Sequence, residues 1–394
     1  MIMVSKQRNT YADWSSEIGL LENKTITKQS LNNRITLETE CFIREIVSHQ
    51  LSERTKPLQT KKVKGVLKYF NNVMIDDSTT IHLPDELAEV FPGNVTRGKR
   101  RALAKIHAMY NLTQNNFPFL NIHDYSNNDQ SLSAAVLPYL NRGDLCIRDL
   151  GFLTLDVVGE MIKKDVSYLS RKSFSTKIYD SKTGTEINLV KELRKHKFID
   201  KEVLIGQKHQ LKVRLIAHKM PDSKANERIR KAKENPDKRA NHSLEYYKLL
   251  AFNIYITNIS LVQCSIENLL SLYKLRWNIE IIFKSWKSCF SLEKLIHHQC
   301  TNAIRVKCII YLMLLYIYMF QVVWLKYCES KIKTENPKVE LSLLKMANFF
   351  RKHFTEIIGN YFERNLMQQI KVHCCYDDRQ DRDNARKLIL KFAA

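Results

Sequence analysis

Leu272–Lys287 reads LYKLRWNIEIIFKSWK, and within it Tyr273, Arg276, Glu280 and Lys287 stand at relative positions 0, 3, 7 and 14. At about 100° per residue these four fall on one stripe of a helix, with Lys284 joining it. The other side holds Leu275, Ile279, Ile282 and Trp286, which suit packing on a sheet. A single acid among cations on an apolar helix has two readings. It is a surface row of i,i+3 and i,i+4 ion pairs, or it is a charged stripe that holds a ligand. Upstream, Ser265 is a candidate N-cap with Glu267 in the first turn, so one helix is expected from there to about Ser288. The run Phe252 to Thr257 before it reads as a strand.

Two further carboxylates favour the ligand reading. Val73-Met74-Ile75 is a short apolar run that ends in Asp76-Asp77-Ser78-Thr79. Ala104 to Leu112 and Phe117 to Ile122 read as strands, with Asn115-Asn116 between them, and Gln130 to Leu140 reads as a helix. Leu145 to Arg148 is a strand that ends at Asp149-Leu150-Gly151; Thr154 can cap a helix to Lys163, and Val166 to Arg171 is another strand. The switching between periods 2 and 3.6 predicts an α/β domain. Neighbouring strand ends would bring Asp77 and Asp149 together. With Glu280 they could hold two Mg²⁺ or Mn²⁺ ions about 4 Å apart, as phosphoryl transfer requires. Hard oxygen donors suit these ions better than zinc, and the His297-His298-Cys300 and His373-Cys374-Cys375 groups lack structural-zinc spacing.

The bulk composition points to the substrate. The 394 residues carry a net charge of +22, and such a surface attracts phosphate backbones by releasing counterions. A solvated basic surface is the plain alternative. Residues 161–240 hold 22 Lys and Arg against 10 Asp and Glu. The stretch 172–250 therefore reads as a strand-rich insertion gripping DNA, with Lys224, Arg228, Arg230 and Lys231 in its basic segment, Lys219 to Arg239. The nine cysteines form no CxxC pair, and Met1 to Thr10 has no apolar core, so reduced cytoplasmic thiols are expected. Cys308 to Leu325 carries no charge. It reads as a buried core helix, with a membrane span as the alternative. No GxxxxGK[ST] loop indicates ATP use.

The pattern Y-x2-R-x3-E-x6-K, filled by Tyr273, Arg276, Glu280 and Lys287, resembles the YREK signature of DDE insertion-sequence transposases of the insertion-sequence-four type. Asp77-Ser78-Thr79 with Leu83-Pro84 and Phe91-Pro92-Gly93 resembles the block around that family's first aspartate. Arg148-Asp149-Leu150-Gly151-Phe152 resembles the second block, and Ile256-Thr257-Asn258 the strand before the glutamate helix. Asp76 rivals Asp77 as first ligand; Asp77 is preferred because it directly precedes Ser78-Thr79. The resemblance covers residues 70–300. It implies an RNase H-like core, Asp77, Asp149 and Glu280 as metal ligands, and Tyr273, Arg276 and Lys287 as DNA contacts. It also implies a cut-and-paste enzyme acting on terminal inverted repeats and target DNA, as a homodimer on paired ends, without a membrane, on chromosomal DNA in the cytoplasm of a bacterium. A metal-dependent nuclease or domesticated relative without strand transfer would share the same carboxylates.

The expected organisation follows. Residues 1–65 form a helical DNA-binding region, either a helix-turn-helix built on Thr25 to Ile35 and Leu37 to Leu51 or a plain bundle. Residues 66–171 and 251–300 are two parts of an RNase H-like mixed sheet with flanking helices, interrupted by 172–250. Residues 301–394 are helical and end in a charged tail over 377–391.

Overall fold

The computed structural model describes residues 10–52, 65–96, 98–196, 198–234, 243–330, 341–359 and 364–376. The tail read over 377–391 and the end of the basic segment, 235–239, lie outside them. Helices α1 (Tyr11–Glu22), α2 (Lys28–Arg34) and α3 (Leu37–Ser52) come first. Thr10 and Thr27 cap the first two, their side chains accepting from the N–H groups of Asp13 and Ser30. Then follow β1 (Val73–Leu83), β2 (Pro92–Thr96), β3 (Lys99–Asn111), β4 (Asn116–Asp124), the short α4 (Asp129–Leu132), β5 (Leu145–Arg148), α5 (Leu155–Lys163) and β6 (Ser167–Arg171). The insertion supplies β7 (Ile178–Asp180), α6 (Leu189–Lys195), β8 (Phe198–Ile205), β9 (Leu211–Lys219), α7 (Asp222–Lys233) and α8 (Leu244–Leu249). The chain continues with β10 (Phe252–Thr257), α9 (Ile266–Lys274), α10 (Trp277–Lys284), α11 (Ala303–Ser330), α12 (Leu343–Lys352), α13 (Phe354–Gly359) and α14 (Arg364–Cys374).

These elements gather into two compact units. Among the described residues, one holds the N-terminal helices, Asp77–Asn128 and the chain from Trp277 onward; the other holds the residues leading to Asp76 together with Asp129–Arg276. In the first unit, β3 pairs antiparallel with β2 and β4. Helix α3 packs on both β4 and α11. The apolar stretch of α11 is a core helix: 61% of it is buried in the protein, and Tyr316 and Phe320 meet Phe290 and Phe350. The Gln321 side chain donates to the Asn115 carbonyl, which accounts for its polar group on this helix. The cysteines with described side chains are free thiols.

In the second unit, β1 lies parallel to β5 and β5 parallel to β6, while β10 pairs antiparallel with β6. The insertion does not stand apart. Its β9 pairs antiparallel with β10, and β8 and β7 follow outward, so its strands prolong the same mixed sheet. This is the mixed α/β architecture that the resemblance implies.

Three elements differ from the sequence reading. Strand β1 does not stop at Asp76-Asp77 but runs on to Leu83, because Thr79, Ile81 and Leu83 alternate inward and bury. The helix expected over 130–140 is short; Pro138 lies in a 3₁₀ turn, Ser133–Tyr139, that replaces the rest. The helix expected from Ser265 to Ser288 is broken. Its cap stands, with the Ser265 side chain accepting from Asn268 N–H. At Leu275 and Arg276, however, the bonds tighten to Leu272 and Tyr273, three residues back. A π turn follows at Ser285–Cys289. Burial changes hands at the break: Leu269, Leu272 and Leu275 are core in the second unit, and Ile279, Phe283 and Trp286 in the first. The continuous 100° stripe therefore does not describe the signature.

Candidate active site

The two acids at Asp76-Asp77 have different roles by strand geometry, since successive side chains point to opposite faces. Asp76 is fully buried. Its Oδ2 accepts from Arg148 Nε at 2.8 Å and Nη2 at 2.5 Å. Arg148 also donates to the Ser133 hydroxyl at 3.0 Å and the Ser133 carbonyl at 2.7 Å. This buried network is committed to holding β1 against β5, where Asp76 and Arg148 are register partners. Asp77 and Asp149 each follow one member of that pair in the chain. Asp77 is partly buried, and its Oδ1 accepts from Ser78 N–H at 2.8 Å.

Around Asp149 the second unit assembles a charged and aromatic cluster. The Asp149 side chain is 39% exposed, and Arg276 Nε lies 3.8 Å from its Oδ1. The Arg276 guanidinium stands 5.8 Å from the centre of the Tyr273 ring. Tyr273 is buried and packs edge-to-face on Tyr255 at 4.9 Å. Burial pushes the Tyr273 phenol up; Arg276 pulls it down, Asp149 pushes it up and Arg171 pulls it down. Its hydroxyl has no hydrogen-bond partner among the described residues. Arg171 is a cation that the sequence reading left unassigned. It ends β6 opposite Tyr255, one residue beyond the Arg148–Ser170 register pair. The signal was present, since both parallel strands were expected to end at these positions.

Glu280 lies in the first turn of α10 and is partly exposed. Lys287 sits in the π turn on its exposed side. Packing around its ammonium lowers its pKa, with Glu293 opposing. Tyr273, Arg276 and Asp149 belong to the second unit; Asp77, Glu280 and Lys287 belong to the first. Among the described residues, no three His, Cys, Asp or Glu side chains stand together as a ready-made metal site. The donor chemistry nonetheless fits a hard divalent cation: Asp77, Asp149 and Glu280 are carboxylates that keep some access to solvent, whereas Asp76 does not.

On α7 the four basic residues divide. Lys224 is exposed. Arg230 pairs with Glu234 at 2.9 Å and Lys231 with Glu227 at 2.6 Å, both across one exposed turn. Arg228 is half-buried and donates to the carbonyls of Leu250 and Phe252 and to Asn253 Oδ1. Burial, then the neighbouring Arg171, lowers its pKa.

The family model described as the transposase DDE domain matches residues 68–318. The transposase for insertion sequence element IS231E of Bacillus thuringiensis subsp. finitimus is 28% identical over 378 residues, 91% of this chain and 77% of its own length. The IS231F transposase of Bacillus thuringiensis subsp. israelensis is 26% identical over 86% of this chain and 74% of its own length. The IS1151 transposase of Clostridium perfringens is 25% identical over 90% of this chain and 79% of its own length. The matched stretch runs from the approach to β1 into α11 and encloses Asp77, Asp149 and the whole signature segment, so this chain belongs to the DDE transposases, enzymes that act on DNA and depend on divalent metal.

Proposed function

We propose that this transposase cuts and rejoins DNA at the inverted-repeat ends of an insertion sequence, as a homodimer on paired ends, with Asp77, Asp149 and Glu280 as ligands of two Mg²⁺ (or Mn²⁺) ions. It would work on chromosomal DNA in the cytoplasm of a bacterium. The observation that carries this is the company of Asp149: two signature residues, Tyr273 and Arg276, stand at it, while the rival Asp76 is committed to Arg148. Two such ions, when bound, supply the positive charge that activates a water or 3′ hydroxyl and stabilises a leaving oxygen. The protein's part is to hold the DNA end. Arg276 presents a planar fork to a phosphate oxygen, and the Tyr273 ring, buried beside it, supports that guanidinium. Purified protein, Mg²⁺, a duplex carrying the element's ends and a target plasmid test this directly. Joined products are expected; cutting without joining would mean a nuclease.

Arg276→Lys keeps the charge but loses the fork. Cleavage of a pre-formed end complex at saturating Mg²⁺ should slow about tenfold, or ~1.4 kcal/mol of barrier, with metal affinity retained. A rate within about twofold of the parent would make Arg276 a simple ion-pair partner.

The exposed face of α7 should govern affinity more than chemistry. Neutralising Lys224, Arg230 and Lys231 together is expected to weaken end binding and to reduce the salt slope by up to about 3, close to one unit for each phosphate that is no longer neutralised. Arg228 is left out because its guanidinium is bonded to backbone carbonyls. An unchanged slope in a binding titration across salt concentrations would move the DNA track elsewhere.

A further inference from the structure

Between the end of β10 at Thr257 and the start of α9 at Ile266 the chain leaves the sheet and turns into the segment that carries Tyr273 and Arg276. The loop has little packing of its own. Ser260, Leu261, Val262 and Gln263 are exposed, Val262 at 93%, and only its two ends, Ile259 and Cys264, are buried. Polar links hold it instead. The Asn258 side chain donates to the Val166 carbonyl and accepts from Tyr168 N–H, both at 2.9 Å, so it continues the pairing with β6 beyond the strand end. The loop proper is held by Arg214, on β9 opposite Thr257. Arg214 Nη1 donates to the Cys264 carbonyl at 2.8 Å and reaches the Ile259 carbonyl at 3.5 Å. The other edge of the guanidinium is fixed by Asp200: Nε to Oδ1 at 2.7 Å and Nη2 to Oδ2 at 2.9 Å. The two side chains are 5% and 12% exposed.

We propose that Arg214, clamped by Asp200, is a positioning residue for DNA cleavage: it fixes the loop that aims Tyr273 and Arg276 at Asp149. This rests on the active-site reading above. The clamp also gives the inserted strands a part in the chemistry besides any contact with DNA, because β8 and β9 supply both members of the pair. Only a planar group with donors on two edges can bridge a carboxylate and two carbonyls at once, so lysine is not a substitute. Misplacement of a gripping residue by about 1 Å can cost on the order of a hundredfold in rate.

Arg214→Lys and Arg214→Met are compared with the parent in single-turnover cleavage of a pre-formed end complex. The rate constant should fall at least about tenfold in Arg214→Lys, with end affinity within about twofold. A purely structural role would instead lower the fraction of protein that reacts at an unchanged rate constant, and that result overturns the proposal. Asp149→Asn, run alongside, separates the two failures: parent-like cutting there sinks the active-site reading and the proposal with it, whereas lost cutting there beside a parent-like rate constant in Arg214→Lys overturns the clamp alone. Amide hydrogen exchange of the full chain tests the clamp without activity. Arg214→Lys should speed exchange over 259–276 while β8 and β9 keep their protection, and unchanged exchange over 259–276 overturns the proposal.

Discussion

Glu280→Gln should abolish strand cleavage and leave binding of the element's ends nearly intact. Glutamine keeps the size and shape of the side chain but replaces a charged oxygen donor by a neutral amide, a poor ligand for a hard divalent cation. Glu280 lies in the first turn of α10 and is partly exposed. Removing its charge from that helix end costs only about 0.3–1 kcal/mol of stability. Loss of a metal ligand is worth several kcal/mol of transition-state stabilisation; at about 4 kcal/mol the rate falls about a thousandfold. Cleavage and gel-shift assays on the same preparation would decide it. If binding falls as far as cutting, Glu280 is a structural residue.

The second large effect is on stability. Arg148→Met leaves Asp76 fully buried without its main cation and removes two bonds to Ser133. Breaking such a buried pair from one side costs about 3–5 kcal/mol, a large share of a typical domain's stability. Replacing both partners is another matter, because an apolar pair of similar volume can be nearly neutral. The double variant Asp76→Leu with Arg148→Met should therefore recover much of the loss, and a double-mutant cycle by urea unfolding measures the coupling. If Arg148→Met costs less than about 1 kcal/mol, the pair is not structural and Asp76 returns as a rival first ligand.

These cases mark where sequence was readable. Strands β5 and β10 were legible because their apolar runs are short and bounded by polar turns. The burial of Asp76 and not Asp77 was not: both are acidic, and which one is buried depends on Arg148, a residue on another strand. The expected strand stop at Asp76-Asp77 failed for the same reason, since a polar pair signals a turn only when no partner awaits it inside. The union of the insertion with the sheet through β9 and β10 was also hidden, because period reveals a strand but not its neighbour. The break at Arg276 carries no glycine or proline to announce it; it reflects a change of packing partner from one compact unit to the other. The signature residues were legible by resemblance, and Arg171 and Arg214 became visible once the strands were paired.

The division of the chain at Arg276 and Trp277 also bears on how the protein is made. The second unit draws its sheet from residues that have left the ribosome by the time Arg276 has emerged. The first unit is assembled from separated stretches, and β4 and α3 must wait for α11 to complete their packing. At about 5–20 residues per second, the chain from Trp277 through α14 takes on the order of ten seconds to appear. During that interval the nascent chain carries the strands of the second unit, with Asp149, while the packing around Glu280 is incomplete, so under the proposed three-carboxylate site synthesis itself delays the ability to cut.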